Sequence, residues 1–404
     1  MLDPHMYKNQ LDLTSIIKTT TILSIFVIFI FGYNSDTFVY IPIPEFLQQS
    51  YLYLIFFAVV ILSSSPQRIT LSKTTVLLTV LITLLICYYA STLFWAPVTS
   101  YAIIKSYLVY IELSTLVLFS VFFFSSNRKN VKMFYFLTLS LVLIVLAEMI
   151  YQYLLVGTLT SPQYVTYYIT INRTLGIGIP ILIYIALSNN KAQIWLIVGA
   201  IAATNLFFMT QTGGRGPLIA VIVSSCVYCA WVLVIGKSDN SLPGSQLLTV
   251  ISGITAAGFI FVTQVNGATI RRLNFLANGP GDSIQGRIEM ATASVRFFSE
   301  APVFGHGIGS FKSLYFEGPF SYPHNIFLEF LVESGVIGAF LFIAILTIVF
   351  FVIVRNGREN PVYSGLILSC IVFFLLNAVV SSDIPSNSNL FIFSIASLSL
   401  IDFE

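Results

Sequence analysis

Long uninterrupted runs of apolar residues follow one another along almost the whole chain, separated by short polar connections. A transmembrane helix needs roughly 20 consecutive apolar residues, and the runs recur at about that length. Because backbone polar groups cannot stay unpaired in lipid, a spanning chain forms either helices or a closed barrel. Barrel strands show alternation of apolar and polar positions over about ten residues, which these runs lack. The pattern therefore predicts an all-α, polytopic membrane protein.

The apolar runs divide into twelve predicted spans, with the sixth and the twelfth the shortest. They separate a nine-helix membrane region (1–265), a polar insert (266–325) and a three-helix membrane region (326–404). The predicted spans run from Ile16 to Phe31, Leu47 to Leu62, Thr75 to Phe94, Ile103 to Phe124, Met133 to Leu154, Leu175 to Leu187, Gln193 to Met209, Pro217 to Ile235, Leu247 to Val265, Gly335 to Val354, Val362 to Val380 and Asn389 to Ile401.

Composition supports the same class of protein. Charged residues make up 9% of the chain and hydrophobic residues 57%, whereas soluble domains are about 25% charged. The four cysteines lie inside apolar runs, which indicates packing rather than a disulfide framework. The chain contains no DxD pair, no HExxH and no P-loop, so neither a metal nor a nucleotide cofactor is predicted, and no nucleic-acid partner.

The distribution of Lys and Arg predicts the orientation, because cytoplasmic connections of membrane proteins are enriched in both. With the N-terminus in the cytoplasm, every short inner connection carries a positive charge, and the polar insert lies outside. The residues assigned to the inner side are Lys8, Lys18, Arg68, Lys73, Arg128, Lys129, Lys132, Lys191, Lys237, Arg355 and Arg358.

Two outer arginines stand at shaped positions. Arg215 lies in TQTGGRGPLIA, between two spans, where Gly214 permits close backbone approach and Pro217 suits a first helical turn. A guanidinium at a helix N-terminus favours an anion. Arg287 begins QGRIEMATASVRFF, an amphipathic pattern that predicts a helix along the membrane surface, with Arg296 more than two turns further on. The alternative for Arg215 is a lipid-bound arginine, over which the shaped GGRG turn favours a functional group, and for Arg287 a solvated helix face is an equal alternative.

The third candidate segment is PFSYPHNIFLEFLVESGVIG, in which His324 precedes a predicted helix capped by Asn325. Glu329 and Glu333 are four residues apart and share one helix face. A histidine near acidic residues can be tuned for proton transfer near neutral pH, although a lone histidine is more often structural. His306 in FGHGIGSF indicates a tight glycine loop rather than a metal site.

The order of these segments resembles the O-antigen polymerase and ligase superfamily of bacterial surface-glycan enzymes. Similar proteins read R-x-x-x-W-x-x-A, then a P-x-x-G-x-G-x-G-like stretch, then P-H-N-x-x-L-E-x-x-x-E-x-G. The resemblance covers roughly Thr210 to Gly338, and the PHN segment with its two glutamates is its most specific part. The family's tryptophan is replaced here, with Met290 or Ala291 near its place.

The resemblance implies a GT-C-like glycosyltransferase that moves a glycan from undecaprenyl diphosphate to an acceptor hydroxyl, with inversion and without a metal. Its site would face the periplasm of the bacterial inner membrane. Arg215 and Arg287 match the family's diphosphate-contacting arginines, and His324 matches its essential histidine. Substrate-binding candidates comprise Arg215, Arg287, Gly214, Asn325, Glu329, Glu333 and Arg296. The implied partners are the lipid-linked oligosaccharide, an acceptor glycan, membrane lipids and a chain-length regulator.

Three functions remain open at the level of sequence. A polymerase passes the chain to a lipid-linked repeat unit, and a ligase passes it to lipid A core. The aromatic, low-charge composition and the short distance from Arg287 to His324 favour the polymerase over the ligase and over a protein-glycosylating relative. A lipid flippase or transporter is the alternative from another class, since Lys105, Glu112 and Glu148 lie within predicted spans. The chain shows no internal repeat of the kind transporters carry.

Overall fold

The computed structural model describes residues 19–27, 72–124, 128–157, 159, 168–189, 191–212, 214–236, 282–316, 318 and 320–401. Every regular element within these residues is helical, which agrees with the predicted fold class. Following a helical stretch at 19–27, the helices are α1 (Lys73–Ser91), α2 (Ser100–Phe124, with a π-helical turn at Leu108–Leu113), α3 (Arg128–Val156), α4 (Tyr168–Leu187), α5 (Ala192–Thr212), α6 (Arg215–Ile235), α7 (Asp282–Glu300), α8 (Ser310–Leu314), α9 (Ile326–Asn356), α10 (Pro361–Val380) and α11 (Ser388–Ile395).

Eight helices in the described part of the chain are long and apolar enough to cross a membrane. They are α1 to α6, α9 and α10, and they correspond to the third to eighth, tenth and eleventh predicted spans. The second and ninth predicted spans, both ends of the first, and residues 266–281 of the insert lie outside the described residues.

The twelfth predicted span differs from the structure. It consists of the short helix α11 followed by a 3₁₀ segment, Ala396–Leu400, and neither has the length of a spanning helix. The sixth span is longer than predicted, because α4 begins at Tyr168 rather than at Leu175. Asn172 and Arg173, expected in a connection, are therefore buried within a helix.

Helices α4 and α10 form the centre of the bundle. In the most apolar 18-residue stretch of each helix, 78% of the α4 residues and 72% of the α10 residues are buried. Small residues allow the close approach. A Cβ on Gly176 of α4 would lie 2.6 Å from the Phe373 ring of α10. Helix α6 packs along the same α10, where the Ser369 hydroxyl donates to the Ser224 carbonyl at 2.9 Å. The ends of α4, α6 and α10 are thereby held together.

Helix α7 confirms the predicted amphipathic helix but packs through a different face. The predicted apolar face contains Ile288 and Val295, which are 50% and 60% exposed. The buried face instead carries Met290 and Phe297, which form a small core with Phe311 of α8 and with α9. The larger side chains on this face fill the space against α8 and α9, so the helix packs on protein here. Its contact with lipid stays a prediction.

Candidate active site

Helix α9 is broken near its beginning, and the break separates its first turns from the membrane-crossing part. Gly335 has φ 64° and ψ −163°, a conformation that is essentially restricted to glycine. A Cβ at this position would lie 2.2 Å from the Val303 carbonyl oxygen. Residues 326–334 therefore form a distinct helical segment that is joined to the long span by a glycine hinge.

The glycine loop after α7 fills this break. The amides of His306 and Gly307 each donate at 2.9 Å, to the carbonyls of Val332 and Glu333 respectively. These carbonyls lose their helical partners at the kink, and unpaired buried backbone groups are costly. Gly305 and Gly307 both have positive φ, which glycine adopts readily. The GHGIG stretch thus attaches the loop that follows α7 to the broken part of α9.

His324 occupies a strained position directly before the broken helix. Its φ of 55° lies in the left-handed region, which is uncommon for a residue with a side chain. The next residue, Asn325, is the predicted helix cap, and its Oδ1 accepts from the amides of Phe327 at 3.0 Å and Leu328 at 3.2 Å. The structure therefore holds the imidazole at the point where the chain enters the helix.

Aromatic and charged side chains lie around the His324 ring. The rings of Tyr322 and Phe320 lie 4.5 Å and 5.4 Å from it. Burial and, second, the positive charge of Arg287 lower the pKa of His324 from 6.5 to about 4, while Asp383 acts in the opposite direction. The ring is neutral at pH 7, so one ring nitrogen has a lone pair available to accept a proton.

Arg287 and Arg296 lie on opposite sides of α7. They are nine residues apart, which corresponds to about 180° around an α-helix. Arg287 is exposed, and its positive charge acts on His324. The Arg296 guanidinium lies 4.8 Å from the neighbouring Phe297 ring. The structure thus brings Arg287 to His324 and leaves Arg296 elsewhere.

Both predicted glutamates belong to a fully buried charge cluster with Lys105 of α2. The Lys105 Nζ lies 2.5 Å from Glu329 Oε1 and 2.8 Å from each Glu333 carboxylate oxygen. The Tyr89 hydroxyl donates to Glu333 Oε2. None of the three charged side chains is exposed. The i, i+4 spacing of the glutamates therefore presents two carboxylates to one lysine beneath the histidine.

The residues 381–387, here called the strap, connect α10 to α11 and carry Asp383. The Ile384 amide donates to Glu329 Oε1 at 3.2 Å, which ties the strap to the charge cluster. Asp383 Oδ2 accepts from the Tyr101 hydroxyl at 3.1 Å. Asp383 also interacts electrostatically with His324. This carboxylate was not among the sequence-predicted residues, and its only signal is its position between two outer span ends.

The Arg215 turn meets the other end of the strap. Arg215 is the exposed first residue of α6, and Gly214 caps that helix, which confirms the predicted helix start. Gly214 is buried against the Asn172 side chain of α4, where a Cβ would clash at 2.0 Å. A Cβ on Gly216 would lie 3.0 Å from Val380, directly before the strap. The turn therefore packs against the residue that leads into the strap, and Asp383 of the strap interacts electrostatically with His324.

These features define an integral membrane protein whose helical bundle carries a polar site of arginine, histidine and carboxylate groups at one end. Residues 199–343 match the sequence model of the family described as O-antigen ligase. This match covers about a third of the chain and agrees with the resemblance to the O-antigen polymerase and ligase superfamily that the motifs carry. A search of curated proteins found no match. The match makes a membrane enzyme of O-antigen or surface-glycan assembly the function to test.

The family match spans Arg215, Arg287 and His324 but ends before the strap and begins after Lys105. The groups that surround His324 in space are thus drawn from both matched and unmatched parts of the chain. Lys105, Arg173 and Asp383 reach the site only through the packing of α2, α4 and α10, which a local motif cannot encode.

Proposed function

We propose that this protein transfers a glycan from undecaprenyl diphosphate to an acceptor sugar hydroxyl at the periplasmic face of the bacterial inner membrane. The acceptor oxygen attacks the anomeric carbon while the bond from that carbon to the diphosphate oxygen breaks, which inverts the configuration. The observation that carries the proposal is that a neutral, conformationally strained His324 interacts electrostatically with Arg287 within the family-matched residues.

His324 is proposed to accept the proton of the acceptor hydroxyl as the new glycosidic bond forms. A pKa of about 4 keeps the imidazole unprotonated at pH 7. A base with this pKa is weak toward a free hydroxyl, so proton transfer accompanies bond formation, when the hydroxyl becomes acidic. The cap at Asn325 and the strained backbone fix the direction of the ring.

Arg287 and Arg215 are proposed to bind the diphosphate and to stabilise the charge that develops on the leaving oxygen. Guanidinium groups pair bidentately with phosphate and stay charged at all relevant pH values. Arg215 adds the N-terminus of the 21-residue helix α6, which favours an anion. The positive charge for the leaving group can thus come from side chains, and we propose a metal-independent reaction.

Within the superfamily we propose a surface-polysaccharide polymerase, which uses a second lipid-linked repeat unit as acceptor. The ligase, which uses lipid A core, is the second candidate because the matching family is described as O-antigen ligase. The transporter alternative is less well supported, since Lys105 is bonded to Glu329 and Glu333 inside the bundle rather than to Glu112. The insert is proposed to serve as the outer wall of the catalytic site, and a chain-length regulator as a partner.

The test is transfer by purified protein in detergent or nanodiscs, with a lipid-linked repeat unit alone and with lipid A core added. Longer lipid-linked chains without core support the polymerase, and transfer to core supports the ligase. Arg215→Met, Arg287→Met and His324→Ala should each abolish transfer, whereas Arg358→Met, an exposed arginine after α9, should behave like wild type. Transport of labelled lipid without transfer would refute the enzyme proposal, and inhibition by a chelator would refute metal independence.

A further inference from the structure

Arg173 of α4 is a buried cation without a carboxylate partner among the described residues. Its side chain is 7% exposed, and the ion pairs found within 4.0 Å in the described chain all involve Lys105. Its Nη2 donates to the carbonyls of Asn377 and Ser381, both at 3.2 Å, and its Nη1 donates to Ser386 at 3.5 Å. These carbonyls satisfy hydrogen bonds but carry only partial charge, so most of the positive charge of Arg173 stays uncompensated.

Two neighbouring donors of α4 are buried without an acceptor. The Arg173 Nε and the Asn172 Nδ2 have no hydrogen-bond partner in the described structure. Asn172 is fully buried, and its Oδ1 accepts from the Thr212 hydroxyl at 2.9 Å, which fixes the amide with its Nδ2 against Gly214. A buried donor without an acceptor costs about 1–3 kcal/mol, so this arrangement calls for a group rich in acceptors.

Both donors lie where the proposed substrate groups meet. Asn172 abuts the turn that carries Arg215, at the N-terminus of α6. Arg173 holds the strap and interacts electrostatically with Asp383 and with Tyr322 of the His324 loop. Arg173 and the turn that carries Arg215 thus lie at the end of the bundle that also carries Asp383.

Building on the proposed function, we propose that Arg173 and Asn172 complete the diphosphate site as its third cationic group and an additional amide donor. The ligand is the diphosphate of a polyprenyl carrier, which supplies both the missing negative charge and the missing acceptors. Arg173 then has two roles, because the guanidinium that binds the diphosphate also holds the strap that carries Asp383. Substrate binding would thereby be communicated directly to the His324 surroundings.

The test measures binding of farnesyl diphosphate and farnesyl monophosphate to the full-length protein in detergent by titration calorimetry. Arg173→Met and the isosteric Asn172→Asp should each weaken diphosphate binding about ten-fold or more, as expected when a charge-assisted hydrogen bond is lost. Monophosphate binding should weaken less, and Arg358→Met should bind both ligands like wild type. Thermal unfolding of each variant shows whether the strap contacts alone are responsible.

The outcomes separate this inference from the proposed function. Absence of diphosphate binding to the wild-type protein would overturn both. Weakened binding in Arg287→Met together with wild-type binding in Arg173→Met and Asn172→Asp would overturn the inference alone. If Arg173→Met does not fold, Asn172→Asp decides, because it keeps the acceptor for Thr212 and replaces only the free donor by a carboxylate oxygen. Wild-type affinity for the diphosphate in Asn172→Asp would refute the proposal that Asn172 and Arg173 belong to the diphosphate site.

Discussion

Replacing Lys105 by methionine should destabilise the protein strongly without touching the substrate-facing surface. Methionine preserves most of the side-chain volume in the core and removes the charge that Glu329 and Glu333 share. The lysine makes one bond of 2.5 Å and two of 2.8 Å to these carboxylates, and all three side chains have no exposure. The substitution therefore leaves two buried carboxyl groups without the cation that they share.

The size of the effect follows from what remains around each carboxylate. Removing one partner of a buried ion pair costs about 3–5 kcal/mol. Glu333 keeps its bond from the Tyr89 hydroxyl, and Glu329 keeps the Ile384 amide. These surviving donors place the expected loss in the lower part of that range, about 3–4 kcal/mol. Total stabilities of native proteins are about 5–15 kcal/mol, so the loss would be readily visible.

Denaturant or SDS titration of the purified protein, followed by intrinsic fluorescence, measures the free energy of unfolding. Lys73→Met at the exposed beginning of α1 is the matched control and should have little effect. Combining Lys105→Met with Glu329→Gln and Glu333→Gln should recover at least half of the loss, since neutral amides need no counter-charge. A Lys105→Met protein within about 1 kcal/mol of wild type, or a triple variant less stable than the single one, would refute the reasoning.

Three further outcomes are expected. Gly335→Ala should cost about 2–3 kcal/mol or more because of its φ of 64°, whereas Gly199→Ala, with nothing within 4 Å of the new Cβ, should be neutral or stabilising; thermal unfolding compares them. Diethyl pyrocarbonate, which reacts with neutral imidazole, should modify His324 with a midpoint near pH 4, and a midpoint near 6.5 would contradict the burial argument. Arg296→Met should retain transfer under conditions in which Arg287→Met does not, and equal losses would place both arginines in the site.

The membrane class and most helix positions could be predicted because apolar length is a local property of the sequence. The eight described spanning helices each overlap a predicted span. The errors arise where polar residues lie inside the bundle. Asn172 and Arg173 read as a connection, yet they are helical and buried, because neighbouring elements hydrogen-bond part of each side chain. The segment Asn389 to Ile401 reads as a span, yet it folds into two short elements packed against the other helices.

The candidate site was predictable where its residues form compact motifs. The GGRG turn, the start of α7 and the PHN segment each carry one exposed or half-buried polar group beside a helix end. Arg173, Lys105 and Asp383 lack such a signal. Each lies in or beside an apolar run, and its proximity to the site depends on long-range packing of three different helices. A spacing of seven residues puts Lys105 and Glu112 on one helix face, but it does not show which carboxylates the lysine meets.

The positions of the glutamates suggest how the strain at His324 is maintained. A residue held in a sparsely populated backbone region costs about 1–3 kcal/mol and persists only when its surroundings impose it. Here the constraint comes from contacts at both ends of the helical segment 326–334. The Asn325 cap and the Lys105 cluster fix the first turns of α9, and the loop bonded to the carbonyls of Val332 and Glu333 fixes their far end. If these contacts impose the conformation, replacing the charged cluster by matched amides should preserve the fold while loosening the backbone at His324. The loss of transfer activity should then be larger than the loss in the free energy of unfolding explains.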